Sequence, residues 1–71
     1  MHKREMRIGM KCYVSGFIIN EDGGKIPVNS KAKIYEEPYL STVKVKLENP
    51  PSGISEIANI SIHDVYWTKQ D

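Results

Sequence analysis

Apolar and polar residues alternate along most of this chain with a period of two, and helical spacing is nearly absent. Over residues 8–18 one face carries Ile8, Met10, Cys12, Val14, Gly16 and Ile18, and the other carries Gly9, Lys11, Tyr13, Ser15 and Phe17. That predicts one long strand, with Gly16 marking a bulge or a sharp bend inside it. Asn20-Glu21-Asp22-Gly23-Gly24 predicts a tight turn, because Asp-Gly-Gly supplies positive φ angles. Ile26-Pro27-Val28 reads as extended chain that Pro27 confines to an edge or a loop. Asn29-Ser30 reads as a second turn, and residues 31–35 as a strand that Pro38 prevents from continuing. The cleanest alternation spans residues 42–48, with Val43, Val45 and Leu47 opposite Lys44, Lys46 and Glu48. Pro50-Pro51-Ser52-Gly53 ends it. Residues 57–62 then predict a strand with Ala58, Ile60 and Ile62 inward; a helix over residues 54–62 competes, but the β-branched residues favour the strand. His63-Asp64 predicts a short turn before a closing strand over residues 65–68.

Four or five short strands joined by tight turns predict a mainly β fold, a small antiparallel five-stranded barrel. The order of elements resembles an SH3-like β-barrel: a long bent first strand around Gly9, Val14 and Gly16, and a turn-rich loop. The pairs Ala32-Lys33-Ile34 and Val43-Lys44-Val45 follow, then Ile60-Ser61-Ile62, a one-turn break at His63-Asp64 and a closing strand. An OB-like barrel is the alternative. The acidic-aromatic signature of the peptide-binding SH3 family has no counterpart here, so the resemblance implies the fold and not proline-rich ligand binding. The expected division is a flexible N-terminal extension over residues 1–6, one barrel domain over 7–68 and a tail over 69–71.

At 8.1 kDa, folding is expected to remove roughly 7,000 Å² of surface from water. With some 60% of that apolar, burial contributes about 105 kcal/mol. Ordering the 71 residues at about 1.5 kcal/mol each costs nearly as much. Self-association or a partner would therefore help such a chain. Ten Lys and Arg against nine Asp and Glu argue against an acidic DNA mimic and against a strongly basic nucleic-acid coat, while permitting a local patch. The lone Cys12 leaves no internal disulfide, which points to a reducing cytoplasm. No apolar run reaches bilayer length, so no membrane role is expected.

Catalytic chemistry has little to work with. Asp22-Gly23-Gly24-Lys25 lacks the spacing of a phosphate loop, and the two histidines, His2 and His63, have no ligand-spaced companions. Cys12 and His63 as nucleophile and base are disfavoured, because Cys12 shares the apolar face of Met10 and Val14. The expectation is a non-enzyme without cofactor or metal.

Three surfaces are candidates for binding. His63, Asp64, Tyr66 and Trp67 form a polar-aromatic cluster that reads either as a pocket or as an Asx turn beside a barrel-closing Trp67. Lys31, Lys33, Lys44 and Lys46, with Tyr35 beside them and Lys11 and Tyr13 continuing from the first strand, predict a lysine-tyrosine face. Such a face suits nucleic acid, although outward lysines also serve solubility alone. Tyr13, Phe17 and Ile19 make a second apolar face on the first strand, which a protein partner or a second subunit would cover. The leading expectation is a protein-binding module, an adaptor or small inhibitor that self-associates. In size and residue usage the chain looks like small proteins of bacteriophages and mobile elements, many of which block a host protein. A nucleic-acid-binding barrel is the alternative, and capture of a small anion at an oligomer interface the third reading.

Overall fold

The computed structural model describes residues 1–19 and 23–69 of the chain. Five strands form one antiparallel sheet: β1 (Lys11–Ile19), β2 (Lys25–Ile34), β3 (Thr42–Leu47), β4 (Ile57–Ser61) and β5 (Val65–Tyr66). Their order across the sheet is β4-β3-β2-β1-β5. The first four strands are therefore a simple meander, and the chain then returns to lay β5 against β1. A 3₁₀ turn, Ile62–Asp64, makes that return. The sheet curls enough to bring β4 and this turn against β1.

Alternation sets the faces, as period-two sequences do when one side is buried. Cys12, Val14, Val28, Ala32, Ile34, Val43, Val45, Leu47, Ile60 and Val65 form one buried cluster. The reading of residues 42–48 thus holds from Thr42 to Leu47, with Glu48 just past the strand end, and residues 57–61 are a strand rather than a helix.

Four local expectations need correction. The first strand begins at Lys11, because Gly9 at φ 86° closes a turn in which the Met10 amide donates to the Arg7 carbonyl at 3.1 Å. Ile8, in that turn, is exposed instead of inward. No bulge occurs at Gly16: the β1–β2 register runs unbroken from Lys11↔Lys33 to Ile19↔Lys25. Asn29-Ser30 is not a turn either, since β2 continues straight through Pro27, Asn29 and Ser30. β3 pairs only with Ala32–Ile34, so Pro27 lies where β2 has a strand on one side only, and its missing amide is tolerated. Ser30 is buried, and its hydroxyl accepts from the Asn49 amide at 3.0 Å and donates to the Lys31 carbonyl at 2.8 Å. The expected Asn20–Asp22 part of the hairpin turn lies outside the described residues; Gly23 beside it has φ 81°.

Residues 1–6 are also not a loose extension. Lys3–Glu5 form a 3₁₀ turn capped by His2, whose ring nitrogen accepts from the Arg4 amide at 3.2 Å while the Glu5 carboxylate accepts from the His2 amide at 2.8 Å. This places Met6 in the core at 1% exposure. A core this small gains from one more long apolar side chain, and burying a Met is worth about 2 kcal/mol. Alternation could not reveal it, because Met6 belongs to no strand.

Candidate functional site

The register converts the lysine pattern into a geometry. Lys11, Lys33 and Lys46 are directly opposite one another across β1, β2 and β3. Tyr66, Tyr13 and Lys31 form the adjoining row across β5, β1 and β2. Like charges placed directly opposite each other destabilise a sheet by a few tenths of a kcal/mol or more. Two of the five lysines on this outward face have counter-charges: Lys46 Nζ lies 4.0 Å from Glu56, and Lys44 Nζ lies 3.8 Å from Glu36. Among the described residues Lys11, Lys31 and Lys33 make no such pair. Their repulsion is left for solvent, salt or a ligand to relieve.

Those three lysines line one cleft of about 420 Å³. Tyr13 and Trp67 contribute its rings, Glu48 is its one acid, and Trp67, Thr68 and Lys69 form a wall where the chain runs on from β5. Tyr13 is buried, with Tyr66 and Lys31 opposite it on the two neighbouring strands, while Trp67 is half exposed. The volume lies in the usual range for ligand sites, which is about 300–1,000 Å³. Cys12 lies between the cleft residues Lys11 and Tyr13 with its side chain in the buried core, and burial, opposed weakly by the N-terminal ammonium, pushes its thiol up to about 11. At neutral pH it is protonated and a poor nucleophile.

The structure regroups the candidate residues. The lysine-tyrosine face divides: Lys31 and Lys33 line the cleft, Lys46 is turned toward Glu56 beside Lys33, and Lys44 stands farther out, opposite Asn59. The Tyr35 amide donates to the Lys44 carbonyl at 2.8 Å, so Tyr35 accompanies Lys44 and not the cleft. The His63, Asp64, Tyr66 and Trp67 cluster separates as well. His63 is exposed, its amide donating to Ser61 Oγ at 3.3 Å, and Trp67 belongs to the lysine cleft. Tyr66 pairs with Tyr13, and Asp64 packs on Gly16. A Cβ built on Gly16 would meet the Asp64 carboxylate and come within 2.7 Å of the Asp64 Cβ. Gly16 therefore serves a close approach between β1 and the 3₁₀ turn, the role assigned above to a bulge.

The apolar face of β1 is divided too. Tyr13 is enclosed, whereas Phe17 is exposed with the Lys25 ammonium 5.9 Å from its ring centroid. The Ile19 side chain lies outside the described residues. Phe17, Lys25 and Asp64 share a shallower hollow with Thr42, Asn59 and Ser61. A third hollow, lined by His2, Lys3, Arg4, Met6, Arg7, Glu37 and Pro38, is also basic. There the Arg7 guanidinium already donates to the Arg4 carbonyl at 2.8 Å and the Met6 carbonyl at 3.0 Å, so it is committed to the chain.

Lys69 and the wall it belongs to escaped the sequence reading, because residues 69–71 carry no periodicity and their path depends on where β5 docks. Among the described residues no group of three or more His, Cys, Asp or Glu gathers to hold a metal, and no helix is long and apolar enough to cross a membrane. No protein-family model matches the chain, and no curated protein or solved structure matches it.

Proposed function

We propose that this chain is a non-enzymatic binding module on an SH3-like barrel, and that the cleft between Lys11, Lys33 and Trp67 holds an anionic partner. The SH3-like reading draws on the meander closed by β5 on β1 and on the single 3₁₀ turn before the last strand. The observation carrying the binding reading is the unequal distribution of counter-charges. Lys44 and Lys46 are ion-paired with Glu36 and Glu56, whereas Lys11, Lys31 and Lys33 line an aromatic-walled cleft whose one acid, Glu48, forms no ion pair with them among the described residues. An anion there removes a repulsion that folding left in place. A buried, free Cys12 fits a reducing cytoplasm.

Titration with heparin, a polyanion with no aromatic group, tests the site. Binding that weakens with salt and is lost in a Lys11→Gln/Lys33→Gln variant is the expected result. Unchanged binding in that variant moves the site elsewhere.

A protein-binding role through Phe17 is the second reading, favoured by a half-exposed phenyl ring under the Lys25 ammonium. Its expected signature is loss of self-association or partner capture in Phe17→Asp while the fold survives.

A further inference from the structure

We infer that the cleft takes single-stranded nucleic acid, with a base stacked on Trp67 and neighbouring phosphates held by Lys11, Lys31 and Lys33; this rests on the cleft being the binding surface. Three features narrow the anion. First, the cations are arrayed and not convergent. Lys11 and Lys33 are cross-strand neighbours, and Lys31 lies two residues along β2 from Lys33 on the same face. An extended charged chain meets all three, whereas one small anion does not. Second, Trp67 is half exposed at the same cleft. An indole beside ammonium groups suits a ligand that is planar as well as anionic, and base stacking on an aromatic side chain is worth about 1–3 kcal/mol per base. An acidic peptide answers the lysines but leaves the indole without a planar partner.

Third, the contacts available are those of a reader without sequence preference. Lysines bind phosphate as point charges, and stacking accepts any base. A duplex keeps its bases stacked on each other, so it cannot offer one to Trp67. Glu48, opposite Lys31 where its amide donates to the Lys31 carbonyl at 2.9 Å, weakens the field in the cleft. With a net charge of only +1, affinity must come from this locality and not from the whole molecule.

Trp67 is the only tryptophan, so its fluorescence reports on the cleft alone. The experiment titrates the full chain with oligo-dT, a duplex of equal length and polyglutamate, following both Trp67 emission and the anisotropy of labelled oligonucleotide. Oligo-dT is expected to quench Trp67 and to bind more tightly than the duplex. Three phosphate contacts give a log–log salt slope of about −2, or an affinity loss of roughly twentyfold between 50 and 200 mM salt. Trp67→Leu is expected to weaken oligo-dT binding about tenfold with the slope unchanged. Lys31→Gln/Lys33→Gln is expected to flatten the slope to about −0.7, and Lys44→Gln to leave it as it was.

Polyglutamate perturbing Trp67 more tightly than oligo-dT would overturn the nucleic-acid inference and leave the cleft as the site. Preference for the duplex, or full affinity in Trp67→Leu, would overturn stacking and with it the single-strand assignment. Oligo-dT binding that ignores both Trp67→Leu and the two-lysine variant would overturn the cleft itself, as would no response to any of the three polymers.

Discussion

Tyr13 and Phe17 stand on the same face of β1, four residues apart, and the fold treats them differently. Tyr13 is 9% exposed and Phe17 is 53% exposed. Both lie in one unbroken ladder with β2, opposite Lys31 and Pro27 respectively. The difference comes from the other side of β1. β5 pairs there with Tyr13 and Val14 only, and the chain beyond it walls the cleft around Tyr13. Among the described residues Phe17 has no strand on that flank, and it meets the Lys25 ammonium instead. The same alternating pattern thus yields a packed residue at one end of the strand and a surface anchor at the other. Two residues of β5 make the distinction.

The sharpest test compares the two truncations. Tyr13→Ala is expected to cost about 3 kcal/mol in urea unfolding, and Phe17→Ala about 0.5 kcal/mol. Equal costs would mean that β5 and the wall after it do not enclose Tyr13 in solution. Between the two residues lies Gly16, where the close approach of Asp64 joins β1 to the 3₁₀ turn. Gly16→Ala is expected to cost about 2 kcal/mol. Since the added Cβ meets the Asp64 Cβ as well as the carboxylate, rotation of the carboxylate cannot relieve the contact. Adding Asp64→Gly is expected to recover most of the loss in a double-mutant cycle, and simple additivity would refute the packing assignment.

Cys12, next to Tyr13 in the chain but turned into the core with Val14, gives a pH-dependent measure of how well that inner face is closed. Its thiol is raised from 9.0 to about 11 by burial, so the folded state favours the protonated form. This contribution to stability is complete below pH 9.0 and is lost as pH rises through about 11. Thiol labelling of the folded chain is expected to be slow at pH 8 and to quicken in Val14→Ala, which opens the core beside the thiol. Labelling as fast as in a free cysteine would show the core open at Cys12. The smallest effect is at Phe17: Lys25→Gln is expected to cost about 0.5 kcal/mol, the worth of an exposed cation–π contact. A loss several times larger would show that Phe17 is part of the core.

Some of this was legible in the chain. Val43, Val45 and Leu47 announce a strand with one buried face, because each step of two residues returns the side chain to the same side. The lysines opposite them are outward for the same reason. Asn29 and Ser30 misled, since their turn preference is a local one and a full ladder with β1 outweighs it. Met6 and Lys69 gave no signal at all. Each takes its place from a segment outside the strands, and periodicity does not reach there.

The candidate site shows the same division. Alternation alone placed Lys31 with Lys33, and Lys44 with Lys46. Only the register could set Lys33 opposite Lys46, and Glu48 against Lys31. Only the loops could bring Glu36 to Lys44 and Glu56 to Lys46, leaving Lys11, Lys31 and Lys33 beside Trp67. The sequence by itself determined a mainly β chain and which residues face outward within the strands, because strand geometry couples side-chain direction to position one residue at a time. Which outward residues became neighbours was decided by the tertiary structure. Cross-strand register, the return of β5 to β1 and the paths of the connecting loops join positions that lie far apart along the chain, and no local periodicity encodes those separations.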